Sequence, residues 1–234
     1  MLEETQKFYC LTKIEEEFAL EDSHPTSHVK IFKKSYPRFE TYSLTSDQVD
    51  GLDELLRKRE SVRRFSEKPL KLFELSALLS TYRILDFDRA PERRTYPSGG
   101  ARFPIEIYVV NFNMSEIPKG IFHMSIDSRS LSLLNAKDYS DERRLFCSDF
   151  IENASVSVIF TSVIARSEVK YKHLAYPASL IEIGHIAQNF LLAASELGLG
   201  ACPVIGQVNE FVADELDLTQ NELPLYAISF GRKE

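Results

Sequence analysis

The chain has 234 residues, 44% of them hydrophobic, and a formal net charge of -7. That length buries a core of one large domain, or a domain with an extension, without covalent staples. The acidic balance argues against a nonspecific binder of nucleic acid or of anionic membranes, both of which need a positive field. Three widely spaced cysteines, Cys10, Cys147 and Cys202, suggest neither a disulfide framework nor a CxxC metal site and fit a reducing, cytoplasmic setting. The segment after Met1 carries Glu3, Glu4 and Lys7 with no apolar stretch behind it, and no later apolar run reaches membrane-spanning length, so a soluble protein is expected.

In chain order, residues 1–48 are polar and broken by Glu15-Glu16-Glu17, His24-Pro25 and Tyr36-Pro37, which reads as an N-terminal arm before a domain over 49–234. From Ser46-Asp47 the pattern changes: Val49, Leu52, Leu55 and Leu56 are spaced as an amphipathic helix, and residues 70–79 give another. Between them, Ser61-Val62-Arg63-Arg64-Phe65-Ser66 is a connection inside a basic island of Arg57, Lys58, Arg59, Arg63, Arg64, Lys68 and Lys71. Such an island suits a small anion or is a solvated helix end. The segment Tyr96-Pro97-Ser98-Gly99-Gly100-Ala101-Arg102-Phe103-Pro104 then runs into the apolar residues 105–112. Adjacent glycines permit close approaches that a side chain would block, so this stretch is either a tight turn before a buried strand or a loop built to lie against a ligand. Residues 105–112, 155–164 and 225–230 are strand candidates, and a helix over 178–197 begins at Pro177 and ends at Gly198. Leu180, Ile181, Ile183, Ile186, Phe190, Leu191 and Leu192 surround that helix, which predicts burial on most sides and makes Glu182, His185, Gln188 and Asn189 polar groups in need of partners.

Several spacings carry chemistry weakly. Glu182-Ile183-Gly184-His185 has the Glu-x-x-His spacing of helical di-iron sites but has no second copy, so hydrogen-bonded core polars are favoured and no metal is assigned. Gly198-Leu199-Gly200 closes a helix, whereas a dinucleotide loop opens one. Cys202 lies in an apolar run and reads as a buried, inert thiol. Lys170-Tyr171 is either part of an exposed charged loop or, if partly desolvated, a pair that moves a proton.

Taken together, four segments resemble the nitroreductase-like flavoprotein superfamily, and more closely its azoline dehydrogenase branch, which matures thiazole- and oxazole-containing peptides. Arg59-Glu60-Ser61-Val62-Arg63-Arg64-Phe65 is similar to the Arg-Arg-Ser-x-Arg-x-Phe signature that holds the FMN phosphate. Arg59, Ser61 and Arg63 match, and Glu60 departs. Arg93-Arg94-Thr95-Tyr96-Pro97-Ser98-Gly99-Gly100-Ala101-Arg102-Phe103-Pro104-Ile105-Glu106 resembles Arg-Arg-x-x-Pro-Ser-x-Gly-Ala-x-x-Pro-x-Glu. Lys170-Tyr171, with Tyr176 five residues on, resembles the Lys-Tyr-x-x-Arg-Gly-Tyr-Arg signature of the branch, although Leu174 and Pro177 stand where it has arginines. The stretch from Glu182 through Gln188 to Ile205-Gly206 resembles the central helix and the flavin-contacting turn after it.

The resemblance implies an α+β fold with an antiparallel-rich sheet surrounded by helices, an intertwined homodimer, and FMN at the subunit boundary. It assigns Arg59, Ser61, Arg63, Gln188, Ile205 and Gly206, with Pro97, Ser98, Gly99 and Ala101 reaching across the boundary, to FMN binding, and Lys170 and Tyr171 to catalysis. The implied reaction is oxidation of a peptide thiazoline or oxazoline to the azole, with dioxygen regenerating the flavin and a cyclodehydratase as partner. An NAD(P)H-dependent nitro- or quinone-reductase and a noncatalytic FMN-bearing scaffold remain as alternatives on the same fold.

Overall fold

Central strands whose successive side chains enter two opposite cores organise a six-stranded antiparallel sheet with packed helices on both faces. The computed structural model describes residues 2–13, 33–44, 49, 51–148 and 151–234. The acidic run Glu15-Glu16-Glu17, His24-Pro25 and Ser46-Asp47, used above to delimit the arm and the first domain helix, lie outside the described residues. The strands are β3 (Ile105–Asn111), β4 (Gly120–Ser125), β5 (Ser130–Asn135), β6 (Val156–Val163), β7 (Leu199–Val204) and β8 (Glu222–Arg232), in the spatial order β5-β4-β3-β6-β8-β7. A separate two-stranded ribbon pairs β1 (Ile84–Asp86) with β2 (Arg93–Arg94).

On β3, Ile105, Ile107 and Val109 enter one core with Val156, Val158 and Phe160 of β6, while Tyr108 and Val110 enter the other. This is the period of two that a sheet covered on both sides requires. The first core is closed by α3 (Leu72–Leu79) and by the long central helix α6 (Ala175–Glu196), through Leu75, Leu78, Ile183, Ile186 and Phe190. The second is closed by α4 (Arg143–Cys147) and α7 (Asn209–Glu215), through Phe146 and Val212. Between β6 and α6 lies the short helix α5 (Ala165–Tyr171), and before the sheet lies α2 (Leu52–Lys58).

The segment between α2 and α3 is fastened to the sheet by a slot without side chains. Gly200 of β7 pairs with Gly231 of β8. A Cβ on either would come within 2.9 or 2.7 Å of the Phe65 ring. That ring is fully buried. It holds residues 61–65 along the sheet edge, where the Val62 N–H donates to the Ala201 carbonyl at 2.9 Å.

Three expectations from the sequence need correction. The N-terminal arm is not wholly irregular: α1 (Leu2–Thr12) is helical and lays the Phe8 ring edge-on to Tyr176 at 5.4 Å, with the Thr12 hydroxyl 3.2 Å from the Tyr176 hydroxyl. Lys170 and Tyr171 end a helix, α5, and are not in a loop. The central helix is enclosed on one side only, since Leu180 and Ile181 are 42% and 63% exposed and His185 and Gln188 also face outward. Its apolar residues around the circumference mark two faces, of which the fold of one chain covers one.

Truncating Phe65→Ala empties the glycine slot and is expected to cost about 3–5 kcal/mol, read from urea unfolding; a loss below about 1 kcal/mol would show that the slot does not anchor this segment.

Candidate active site

Residues 97–104 form a loop whose shape is set by one hydroxyl. Ser98 is extended, and Gly99–Ala101 make a single 3-10 turn with left-handed backbone at Gly100 (φ 58) and Ala101 (φ 53). The Ser98 carbonyl accepts the Ala101 N–H at 3.1 Å. Its hydroxyl accepts the Phe103 N–H at 2.9 Å and donates to Glu182 Oε2 of α6 at 2.6 Å. The loop therefore closes on itself and on the central helix through the same oxygen. Its flanks are held by ring and charge contacts: Tyr96 stacks on Tyr82 at 5.2 Å, and the Arg94 guanidinium lies 3.9 Å over the Phe103 ring and donates to the Tyr96 hydroxyl at 2.8 Å. From α5, Arg166 donates to the Phe103 carbonyl at 3.0 Å and pairs with Glu106 at 2.5 Å.

The two carboxyls at the ends of this loop sit in opposite electrostatic settings. Glu106 is partly buried, but its bond to His123 and the Arg166 charge hold it below the usual carboxylate range. Glu182 is 4% exposed, and one of its oxygens, Oε1, has no hydrogen-bond partner. Burial pushes its pKa up to about 7, against the opposing pull of the Ser98 hydroxyl and of Arg94.

Lys170 and Tyr171 lie directly on the glycines of the same loop. A Cβ on Gly100 would fall 2.7 Å from Lys170 Nζ and 2.9 Å from the Tyr171 hydroxyl, and one on Gly99 would fall 3.4 Å from the Tyr171 ring. Lys170 Nζ is also 5.3 Å from the centre of the Tyr171 ring. Two segments about 70 residues apart in sequence, each with a bland reading of its own, are thus in contact. The amine and the phenol oxygen are held beside bare backbone, with Lys170 open to solvent and Tyr171 half-buried.

A second group gathers at the β7 edge. Ser61 bridges to Ala201, and the Arg63 carbonyl accepts the Glu152 N–H at 2.9 Å. The neighbouring charges are engaged, Glu60 by Lys233 at 2.8 Å and Arg64 by Glu152 at 3.6 Å. Arg59 and Arg63 carry no ion pair among the described residues, which leaves two guanidinium groups and a serine hydroxyl on one fixed segment. That donor set fits a phosphate. Gly206 after β7 lies against Ser148, whose Oγ a Cβ there would approach to 2.0 Å; Ile205 beside it is 67% exposed. Pro97 is exposed and Ser98 and Ala101 half-buried. No hydrogen bond or ion pair joins the 97–104 loop to the Arg59, Ser61 and Arg63 group among the described residues.

Of the four polar residues the sequence singled out on α6, Glu182 alone is buried, while His185 and Gln188 are exposed; Asn189 is half-buried and donates to the Thr95 carbonyl at 3.3 Å. Sequence reasoning noticed Glu182 without finding its partner, and it missed Arg94 and Arg166 as the clamps of the loop. Cys202 is 2% exposed and burial raises its thiol pKa.

This sheet, its central helix and the loop seated on it define a member of the nitroreductase fold class. The chain belongs to the nitroreductase family, whose description, Nitroreductase family, matches residues 56–232. It is 31% identical over 187 residues to a protein of Methanocaldococcus jannaschii named as a nitroreductase, covering 78% of this chain and 91% of that one. It is also 27% identical over 158 residues to the Microcin B17-processing protein McbC of Escherichia coli, covering 62% of this chain but only 56% of McbC. Among solved structures, the E. coli Microcin synthetase McbBCD complex with truncated pro-MccB17 bound superposes with a TM-score of 0.80 at 21% identity, over 100% of this chain and 93% of the matched one. No helix among the described residues is long and apolar enough to cross a membrane.

Glu182 keeps its proton in the folded chain up to about pH 7, whereas an unfolded glutamate releases it near 4.5. Between those values the folded state binds more protons, so this group's contribution to stability is full below the lower value and is lost as pH rises through the upper one. The loss is up to about 3 kcal/mol. Urea midpoints at pH 5 and pH 8 should fall further in the wild type than in Glu182→Gln; equal falls would contradict the assignment.

Proposed function

We propose that this chain is an FMN-dependent dehydrogenase that oxidises thiazoline or oxazoline rings of a ribosomal peptide to thiazoles or oxazoles. The observation that carries this reading is the seating of Lys170 Nζ and the Tyr171 hydroxyl on the bare backbone of Gly100. It gains support from the likeness to the Microcin B17-processing protein McbC. When bound, FMN supplies the two-electron acceptor for the ring. Arg59, Ser61 and Arg63 would hold its phosphate, with Gln188 and the Ile205-Gly206 turn beside the ring system and Pro97, Ser98, Gly99 and Ala101 contributed by a second copy of the chain.

The work of the chain's own residues is proton transfer and orientation. Oxidation of an azoline removes the acidic proton next to the ring carbonyl substituent together with a hydride from the neighbouring carbon. Lys170 or Tyr171 takes that proton, and the fixed loop beneath them determines where it is taken. The outward face of α6, with Leu180 and Ile181 exposed and open space at Gly184, supports a homodimer. A peptide substrate and a cyclodehydratase partner complete the reading.

A second reading, an NAD(P)H-dependent nitro- or quinone-reductase, is favoured by the M. jannaschii relative, which matches over nearly its whole length. The two readings separate on a preformed azoline peptide. Incubation with the flavin-loaded chain and its partner enzymes should remove two mass units per ring, whereas rapid bleaching of the flavin by NAD(P)H with no mass loss would favour the reductase. Lys170→Ala and Tyr171→Phe should each lower azole formation about 10²–10⁴-fold with the flavin spectrum kept, and the double variant should be less than additive. Near-normal turnover with flavin bound would return the pair to a surface role. Arg63→Ala should weaken FMN retention by about 1.5–3 kcal/mol, measured by flavin fluorescence; unchanged retention would remove Arg63 from the phosphate site.

A further inference from the structure

We propose that Glu182 is a positioning residue of this site: its ionised carboxylate draws in the Ser98 hydroxyl, fixes the 97–104 loop on the central helix, and thereby sets where Lys170 Nζ and the Tyr171 hydroxyl stand. The proposal rests on the reading of Lys170 and Tyr171 as the proton-transferring pair, and its test has an arm that does not.

The chain of contact is continuous and short. Glu182 Oε2 accepts from Ser98 at 2.6 Å, the same hydroxyl accepts the Phe103 N–H at 2.9 Å, and the turn between those two residues carries the glycine against which the amine and the phenol are pressed. A shift of that turn by a fraction of an ångström moves both groups, because nothing but backbone separates them from it. The same buried carboxyl leaves its second oxygen without a hydrogen-bond partner, an arrangement that costs stability. Other charged and titratable groups around it are few. The guanidinium of Arg94 approaches from β2, and the Tyr96 hydroxyl, itself bonded to Arg94 and stacked on Tyr82, follows from the same ribbon. His185, one turn along α6, faces outward.

Linkage fixes the direction of the effect. The Ser98 bond favours the ionised carboxyl, so ionisation must favour the Ser98 bond by the same amount. Charge-assisted bonds are about twice as strong as neutral ones. Raising pH through the Glu182 transition therefore tightens the loop locally while the fold as a whole loses stability. A carboxyl that served only the fold would move both in the same direction.

The test is amide exchange of Ala101 and Phe103, followed by NMR as protection factors between pH 6 and pH 8, in the flavin-loaded protein and in Glu182→Gln, Glu182→Ala and Ser98→Ala. Protection in the wild type should rise about 5- to 10-fold across this range. It should stay flat in Glu182→Gln, which keeps an acceptor but cannot ionise, and should be low at both pH values in Ser98→Ala and Glu182→Ala. In azole formation, kcat of the wild type should rise over the same range and that step should be missing from Glu182→Gln, with KM little changed. A Glu182→Gln loop whose protection tracks the wild type overturns the proposal. Should exchange behave as expected while no variant, wild type included, oxidises an azoline, the positioning role stands and the reading of the substrate fails.

Discussion

One hydrogen bond, from the Ser98 hydroxyl to Glu182, ties the site to the fold. Almost everything else near the site is placed by packing: the sheet alternates between two cores, α6 closes one of them, and Phe65 fills the glycine slot at the sheet edge. The 97–104 loop is different, because its turn, left-handed at Gly100 and Ala101, is exposed or half-buried and is closed by hydrogen bonds to the Ser98 hydroxyl and carbonyl. A buried acceptor on the central helix supplies the missing constraint, at the expense of a carboxyl kept out of water. The Arg94 and Arg166 clamps then fix the ends of the loop to a ribbon and to α5.

That arrangement explains why the two glycines stand together. A side chain at Gly100 would meet the ends of Lys170 and Tyr171, groups that are flexible and would move aside. The fold accommodates such a change, whereas in the proposed reaction a displaced amine would no longer meet its proton. On the proposed reading, the glycine pair records a requirement on the position of the proton-transferring groups. The pair at Gly200 and Gly231 records a packing requirement, because there the neighbour is a rigid aromatic ring deep in the core.

Much of the architecture was legible in the sequence because it rests on periodicity. The β3 and β6 strands and α6 follow from runs whose alternation or helical spacing is strong, and Gly198, at φ 67, ends α6 as a terminating glycine should. The β4–β5 hairpin was not legible: Ser130–Asn135 at the sheet edge is mostly exposed and its pattern is diluted by serines. Nor was α1, whose helix is secured by contacts with Tyr176 far along the chain. The residue types of the site were readable by likeness to a family signature, yet the contact between Lys170-Tyr171 and the glycines is a tertiary fact without a local signal. The outward face of α6 was misjudged for a related reason: hydrophobicity reports that a surface needs covering and is silent on whether the same chain covers it.

The central claim is that the reacting groups are positioned by the backbone on which they lie. Gly100→Ala tests it most directly, because the atoms nearest the added methyl are Lys170 Nζ, the Tyr171 hydroxyl and Lys170 Cδ. Azole formation on a preformed azoline peptide should fall about 10²-fold or more, with flavin content retained and only a modest loss of stability from a side chain at positive φ. Wild-type turnover in a folded, flavin-loaded Gly100→Ala protein would contradict the account.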